Sequence, residues 1–567
     1  MRCFLLLFVL SIGPRAADAA YDITADSVHR HIAVLADDSM EGRQVGETGE
    51  LKAAQYIQGV FAQAGLLPHD NNGSYLQAFE FIKKIDFGPN NTLRLNGQPL
   101  EIGRDYQPLE YSASGSFDFV EVVDVGYGIV TDDSSHHDYR DKDVHGKAVL
   151  VRRFTPQQES DTTAADTIFD RHAGFSAKIS TAIDHGAAGI FFITPETHDD
   201  TLMSAGVVHA RPKNVPVILL RRVALERLGL NLANPAIESA QGVTDLIRVP
   251  DTGYNVVGLL PGKSDTVQII GAHYDHLGWG GPASRYRGAT PMIHNGADDN
   301  ASGVAALLEL ARYFGTRRDS LENSLLFIAF SGEEAGTLGS GHYVRNWTVD
   351  RSKARLMINM DMIGRLAEQE KGLAILGTGT CAEFKEYFNQ KNLGDLKVVF
   401  SESGSGPSDH SAFYNDSIPC LFFFTGAHQD YHTPDDDTEK IDTRGIVQVS
   451  TLISDIVRHF DNHHGPLTFQ RTKGSGTGRP PQLSVSLGIM PDFVSQVKGL
   501  GVDGVTPEKP AERAGIVKGD VIIKIGERTV GDIYDYMNAL QKYRKGDSCR
   551  IQLVRGIDTL EVTVEFK

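Results

Sequence analysis

The chain has 567 residues, 41% of them apolar and 23% charged, the balance expected of globular protein. At roughly 100–200 residues per domain, that length implies three or four units rather than one hydrophobic core. The formal net charge of −18 excludes nucleic acid as a partner, because its phosphates would be repelled.

Residues 1–19 read as an export signal. Arg2 supplies a positive start, residues 3–12 form an apolar run, and Ala17-Asp18-Ala19 offers small residues for cleavage. The run is too short for a bilayer core about 30 Å thick, which needs ~20 residues. No later stretch is long and apolar enough to cross a membrane, so the expectation is an exported protein, periplasmic or secreted, without a transmembrane anchor after cleavage. Cleavage would leave Cys381, Cys420 and Cys549, a set too sparse for a disulfide framework. Cys381 and Cys420 could pair, but their spacing does not require it; Cys420 reads as a small core residue of an apolar strand.

Residues 22–66 carry apolar side chains at helical spacing, at Ile32, Val34 and Leu35 and again at Ala53, Ala54, Ile57, Val60 and Phe61, with Gly65 closing the second run. Residues 75–110 are strand-like, with an Asn96-Gly97 turn. A change of character marks 111–245, with a strand at 147–152, a helix near 176–185 and a strand at 190–193; it reads as an insert in a catalytic domain that otherwise spans 20–110 and 246–465. From 250 to 463 the pattern is α/β. Near-continuous apolar runs at 267–272, 324–330, 355–360 and 418–424 predict strands buried on both faces, and 301–314 predicts an amphipathic helix. A Gly/Pro/Ser linker occupies 466–482, and 483–567 reads as a compact β-rich domain.

Polar residues interrupt the strands of the α/β region in a pattern. His273 and Asp275 follow the first strand in GAHYDHLG, and Asp298 and Asp299 precede the helix in NGADDNASG. Glu333 and Glu334 follow the second strand in SGEEAG, Asp361 ends the third in NMDMIG, and His432 follows the last in DYHTPDDD. Open α/β sheets bind ligands beyond the carboxyl ends of their strands, so these groups can converge. Each motif alone has an ordinary structural explanation, such as a helix cap or a solvated acidic turn; their joint occurrence at successive strand ends does not. Two imidazoles and three carboxylates suit zinc. Three carboxylates against two divalent ions leave one positive charge, which a hydroxide neutralises, and two ions ~3.5–4 Å apart can share one carboxylate.

These segments, with DDSMEGRQVGETGELKAAQYI near the N-terminus, resemble the co-catalytic zinc aminopeptidase family, which includes bacterial leucyl aminopeptidases and relatives of glutamate carboxypeptidase and transferrin receptor. The resemblance covers 22–110 and 250–463. It implies a mixed, mostly parallel central sheet flanked by helices and two zinc ions, one held by His273 and Asp361, the other by Glu334 and His432, with Asp299 bridging. It also implies a cis peptide at Asp299–Asn300, Glu333 as general base and then acid, and Asp275 as the hydrogen-bond acceptor that fixes the His273 tautomer. Some family members stabilise the oxyanion with a Tyr in a loop where this chain has SGSGPSDHSAF. Ser405 stands near that position, so Tyr431 or the ions themselves are left for the task. Asp409 and His410 are expected behind the ligands or in a structural role.

Residues 111–245, with GKAVLVRR and HGAAGIFFIT, resemble a protease-associated domain, whose implied role is to cover the cleft or bind extended substrate. The tail resembles a PDZ domain through 487–490 at the carboxylate-binding loop and PAERAG and GDVI further on; this implies binding of a peptide C-terminus. Peptide substrates and aminopeptidase action are therefore expected. The alternatives are a carboxypeptidase, for which Arg285, Arg287 or Arg365 would have to hold a carboxylate, a glutaminyl cyclase-like transferase, and a catalytically silent receptor.

Overall fold

The computed structural model describes residues 21–566 apart from 132–134, 157–168, 170–171, 197, 203–211, 233–234, 282, 370–371, 473–484, 493–498, 507, 532, 541–542 and 544–545. The expected export signal and the Gly/Pro stretch 473–482 lie outside the described residues. The chain divides into two units. The first draws on the chain up to Phe79, on Tyr254–Thr425 and on the stretch beginning at Asp430; the second draws on Glu80–Gly253, Gly426–Gln429 and the C-terminal segment.

The first unit is built on a mixed, mostly parallel nine-stranded sheet. Its strands are β1 (Leu67–Pro68), β2 (Leu76–Phe87), β3 (Leu246–Leu260), β4 (Val267–His273), β5 (Ser324–Phe330), β6 (Ala354–Met360), β7 (Leu373–Leu376), β8 (Val398–Phe400) and β9 (Cys420–Phe424). Their order is β1-β3-β5-β4-β6-β9-β7-β8, with β2 also paired to β3. β4 runs parallel to both β5 and β6, and β6 runs parallel to β9. Every residue of β4, β5 and β9 is buried, which is why these strands read as unbroken apolar runs. Helix α1 (Ala25–Leu35) begins at a Thr24–Ser27 capping box, and α2 (Thr48–Gln63) buries Ala53, Ala54, Ile57 and Phe61. Helix α3 (Gly303–Gly315) is buried almost all round, and α4 (Thr443–Asp461) starts at Asp442, whose carboxylate accepts from Gly445 N–H. No described helix is long and apolar enough to cross a membrane. Cys381, Cys420 and Cys549 are buried free thiols.

In the second unit, strands Tyr106–Pro108, Val217–Leu220, Gly189–Ile193, Ala148–Arg152 and Val122–Asp124 form one sheet, and Gln98–Leu100, Thr92–Leu95, Ala240–Thr244 and Gly115–Phe119 form another. Strands Thr92–Leu95 and Tyr106–Pro108, before the composition shift at 111, thus pair with strands after it. The hairpin at Asn96-Gly97, both residues at positive φ, pairs through Leu93 with Gly242, and Pro108 pairs with Ile218. Those partners are more than a hundred residues away, so local periodicity gives no hint of them. The tail is a six-stranded sheet over Ile489–Glu565 with a core that includes Leu487, Ile522, Ile551 and Leu553.

Candidate metal centre

The ends of the central strands deliver the chemistry. His273 is the last residue of β4, and Asp361 follows β6 directly, its N–H bonded to Phe423 O of β9 at 3.1 Å. Asp299 lies in Ala297–Ser302, a π-helical turn interrupted at Asp299 and Asn300, whose shared peptide is cis. Glu333 and Glu334 occupy the loop after β5, and His432 the loop after β9, at φ 56°. All five ligand candidates come together. His273 Nε2 lies 3.4 Å from Asp299 Oδ1 and 3.3 Å from Asp361 Oδ1. His432 Nε2 lies 3.3 Å from Asp299 Oδ2 and 3.1 Å from Glu334 Oε2. Asp299 thus turns one oxygen to each histidine. Asp298 turns away, its Oδ1 accepting from Gly364 N–H at 2.6 Å.

These separations test the fit to zinc. Bonds of about 2.0–2.2 Å in a tetrahedral site place ligand atoms roughly 3.3–3.5 Å apart, close to the four values above. The tautomers agree. His273 Nδ1 faces the Asp275 carbonyl at 3.2 Å and His432 Nδ1 the Ala283 carbonyl at 3.1 Å. A carbonyl only accepts, so both Nδ1 atoms carry hydrogen and both Nε2 lone pairs face carboxylates. His432 Nε2 is buried without a hydrogen-bond partner. Burial disfavours a proton on His273, yet Asp361, Asp275 and Asp299 outweigh it and hold the imidazole well above its ordinary pKa. Against the same burial, Glu334 and Asp299 push His432 up to about 11. A field that would draw a proton onto each ring is one that receives a divalent cation. The donor set of imidazoles and carboxylates fits zinc.

Glu333 is differently placed. Its carboxylate has no hydrogen-bond partner among the described residues and joins neither of the two residue groups able to hold an ion. Burial first, then Asp361, Glu334 and Asp409, push its pKa well above the carboxylate range against His273. Asp275 acts on the backbone: its carboxylate is 3.7 Å from His273 Nδ1, beyond a hydrogen bond, and accepts from Glu333 N–H at 3.1 Å and Glu334 N–H at 3.3 Å. The His273 tautomer is set by the Asp275 carbonyl instead. Burial raises Asp409 to about 7 and lowers His410 to about 3; His410 stacks on Phe422 with centroids 4.3 Å apart. Ser405 is tied into its own loop by Ser403. Tyr431 stacks on His432, centroids 3.8 Å apart at 26°.

Several residues at the centre carried no recognised signal in the sequence. Asp436 Oδ2 accepts from the N–H groups of Asp298 and Asp299 at 2.9 and 3.0 Å, fixing the bridging segment; only its place in the acidic run after His432 pointed to it. Arg43, fully buried, donates to the carbonyls of Tyr274, Asn295 and Gly296 at 2.7, 2.6 and 2.9 Å and so ties the loop after β4 to the turn before α3. His276 Nδ1 lies 2.7 Å from Glu334 Oε1, and His276, Asp299 and Glu334 form a second group able to surround an ion.

Residues 255–457 match the model of peptidase family M28, and residues 485–566 match that of the PDZ domain. Similar curated proteins include a probable leucine aminopeptidase of Trichophyton verrucosum, 28% identical over 35% of this chain and 54% of its own length. Another is aminopeptidase YwaD of Bacillus subtilis, 27% identical over 36% of this chain and 44% of its own. The chain spans about half the length of the curated relatives it matches. Among solved structures, an aminopeptidase from Aneurinibacillus sp. strain AM-1 is similar at 23% identity and a TM-score of 0.44, over 79% of this chain and 97% of that one. The Bacillus subtilis zinc aminopeptidase BSAP gives 21% and 0.41 over 79% and 98%.

Proposed function

We propose that this protein is an exported aminopeptidase that binds two zinc ions and removes N-terminal residues from peptides. The observation that carries the reading is the pair of buried histidine lone pairs facing opposite oxygens of Asp299. His273 and Asp361 would hold one ion, His432 and Glu334 the other. Zinc bound there supplies Lewis-acid polarisation of the scissile carbonyl and acidification of water. Glu333, unengaged and raised in pKa, takes the proton of the attacking water and returns it to the leaving amine. Burial, then Asp299, Glu334, Glu333 and Asp361, keep the Tyr431 phenol protonated, so its O–H is available to donate to the developing oxyanion.

The arginines weigh against a carboxypeptidase. Arg365 is buried and donates to Asp430 and Asp436 at 3.1 and 3.2 Å, Arg285 donates to Tyr431 O at 3.2 Å, and Arg287 to Ser284 O at 3.0 Å. The insert, read as a protease-associated domain, would engage extended substrate. In the PDZ domain, residues 487–490 with Gly488 at φ 74° would receive a peptide C-terminus. Zinc-free protein titrated with zinc should take up two equivalents and regain hydrolysis of aminoacyl substrates, but not of N-blocked ones. Saturation at one equivalent, or equal turnover of N-blocked substrate, would sink the reading. Export is checked by N-terminal sequencing of the mature protein, which should begin near residue 20.

A further inference from the structure

Two buried histidines outside the ligand set converge on one half of the centre. His276 Nδ1 is 2.7 Å from Glu334 Oε1 but 3.7 Å from Asp299 Oδ2. The first value is shorter than the roughly 3.3–3.5 Å separating two ligands of one tetrahedral ion and is a hydrogen-bond distance. A carboxylate accepts, so His276 Nδ1–H donates to Oε1 and leaves Glu334 Oε2 turned toward His432 Nε2. His276 is thus placed behind a ligand rather than among the ligands.

His294 acts at one remove. Its Nδ1 lies 2.9 Å from the Met292 carbonyl and so carries the hydrogen; its Nε2 therefore accepts from Ser284 Oγ–H at 2.7 Å, and Ser284 Oγ in turn accepts from Tyr286 N–H at 3.0 Å. Burial lowers the pKa of His294, which keeps the ring neutral and this pattern intact. Gly280, at φ 91°, makes room: a Cβ there would stand 2.9 Å from His294 Cε1. The two neighbours of Ser284 grip His432 at both ends. Ala283 O accepts from His432 Nδ1–H at 3.1 Å, and Arg285 N–H donates to His432 O at 2.9 Å. The loop that sets the His432 tautomer is therefore pinned by the Ser284–His294 bond.

We propose that His276 and His294 are positioning residues that hold Glu334 and His432, setting the affinity of one metal ion of the centre and leaving the other untouched. The inference rests on the two-ion reading above. Its test is zinc titration of the metal-free full-length chain against a competing chelator. The wild type should bind two ions. His276→Ala, His294→Ala and Ser284→Ala should each keep one ion at wild-type affinity and weaken the other by about 10–100-fold, the usual cost of losing an outer partner of a ligand. Ser284→Thr, which retains the hydroxyl, should bind as the wild type does. Two ions at wild-type affinity in all three alanine variants, or equal weakening of both, overturns the proposal. A wild type that binds fewer than two ions overturns the two-ion reading itself and this inference with it. Should either histidine variant fail to fold, the Ser284→Ala and Ser284→Thr pair decides.

Discussion

The two halves of the metal centre are held by different means. His273 closes a fully buried strand and Asp361 stands one residue beyond another, its N–H still bonded to β9, so the sheet itself sets their geometry. Glu334 and His432 lie in loops, and side chains set theirs: Asp275 on the Glu334 N–H, His276 on its carboxylate, and Ala283 and Arg285 at the two ends of His432. A central strand has no freedom to move its terminal side chain without breaking the ladder. A loop does, and it needs partners that remove that freedom. The loop half is therefore where one substitution far from a ligand can still disturb the chemistry.

The largest expected effect belongs to the proposed base, which belongs to neither half. Glu333→Gln should lower kcat by about 10²–10⁴-fold, because the amide cannot carry the proton. Zinc content should stay at the wild-type level, since Glu333 joins neither metal-binding group. A base works only when deprotonated, so the rate should also fall on the acid side as Glu333 takes up a proton. Metal analysis with a pH–rate profile checks both points; loss of zinc from the variant would make Glu333 a ligand. Next comes Tyr431→Phe, on the loop half. Loss of one oxyanion donor costs about 10²–10³-fold in kcat. The ring would still stack on His432, so two ions should remain bound. Unchanged kcat with intact metal content would leave oxyanion stabilisation to the ions alone.

The same contrast governs what the sequence made legible. Strand-end ligands stand out because an imidazole or carboxylate abruptly ends an apolar run, as at His273 and Asp361. Glu334 and His432 were legible as polar residues following apolar runs, but their roles came from motif resemblance, since loops have no periodicity to interrupt. The residues that hold them were missed for that reason: His294 and Ser284 lie in an irregular Gly-rich loop, and Asp436 looks like one more acid in DYHTPDDD. Asp275 shows the limit of motif reasoning. The motif implies a carboxylate facing His273, whereas the observed carboxylate serves two backbone N–H groups and the residue's own carbonyl faces the ring. The pairing of Thr92–Leu95 with Ala240–Thr244 was likewise illegible, because it depends on tertiary structure.

The smallest expected effect comes from shortening the chain. Every residue assigned to the centre precedes Asp437, but the peptidase unit still uses chain beyond its last helix. Gln470 N–H donates to Thr380 O at 2.7 Å, Thr472 N–H to the Tyr414 hydroxyl at 2.8 Å, and Gly404 N–H to Thr472 Oγ1 at 3.2 Å. A chain ending at Thr472 keeps all three bonds and should match the full chain in zinc content and in kcat on small aminoacyl substrates. A chain ending at Phe469 loses them. At about 0.5–1.5 kcal/mol net for each bond, the peptidase unit would be destabilised by a few kcal/mol. For a domain of this size about 2–4 °C of Tm goes with each kcal/mol, which thermal unfolding of the two chains resolves. Turnover at low temperature should be the same in both, because the lost bonds touch Tyr414 and the loop at Gly404 and none touches a ligand. If the chain ending at Thr472 keeps two zinc ions yet loses turnover of small substrates, the C-terminal segment takes part in the chemistry, and the sheet and its loops do not by themselves complete the site.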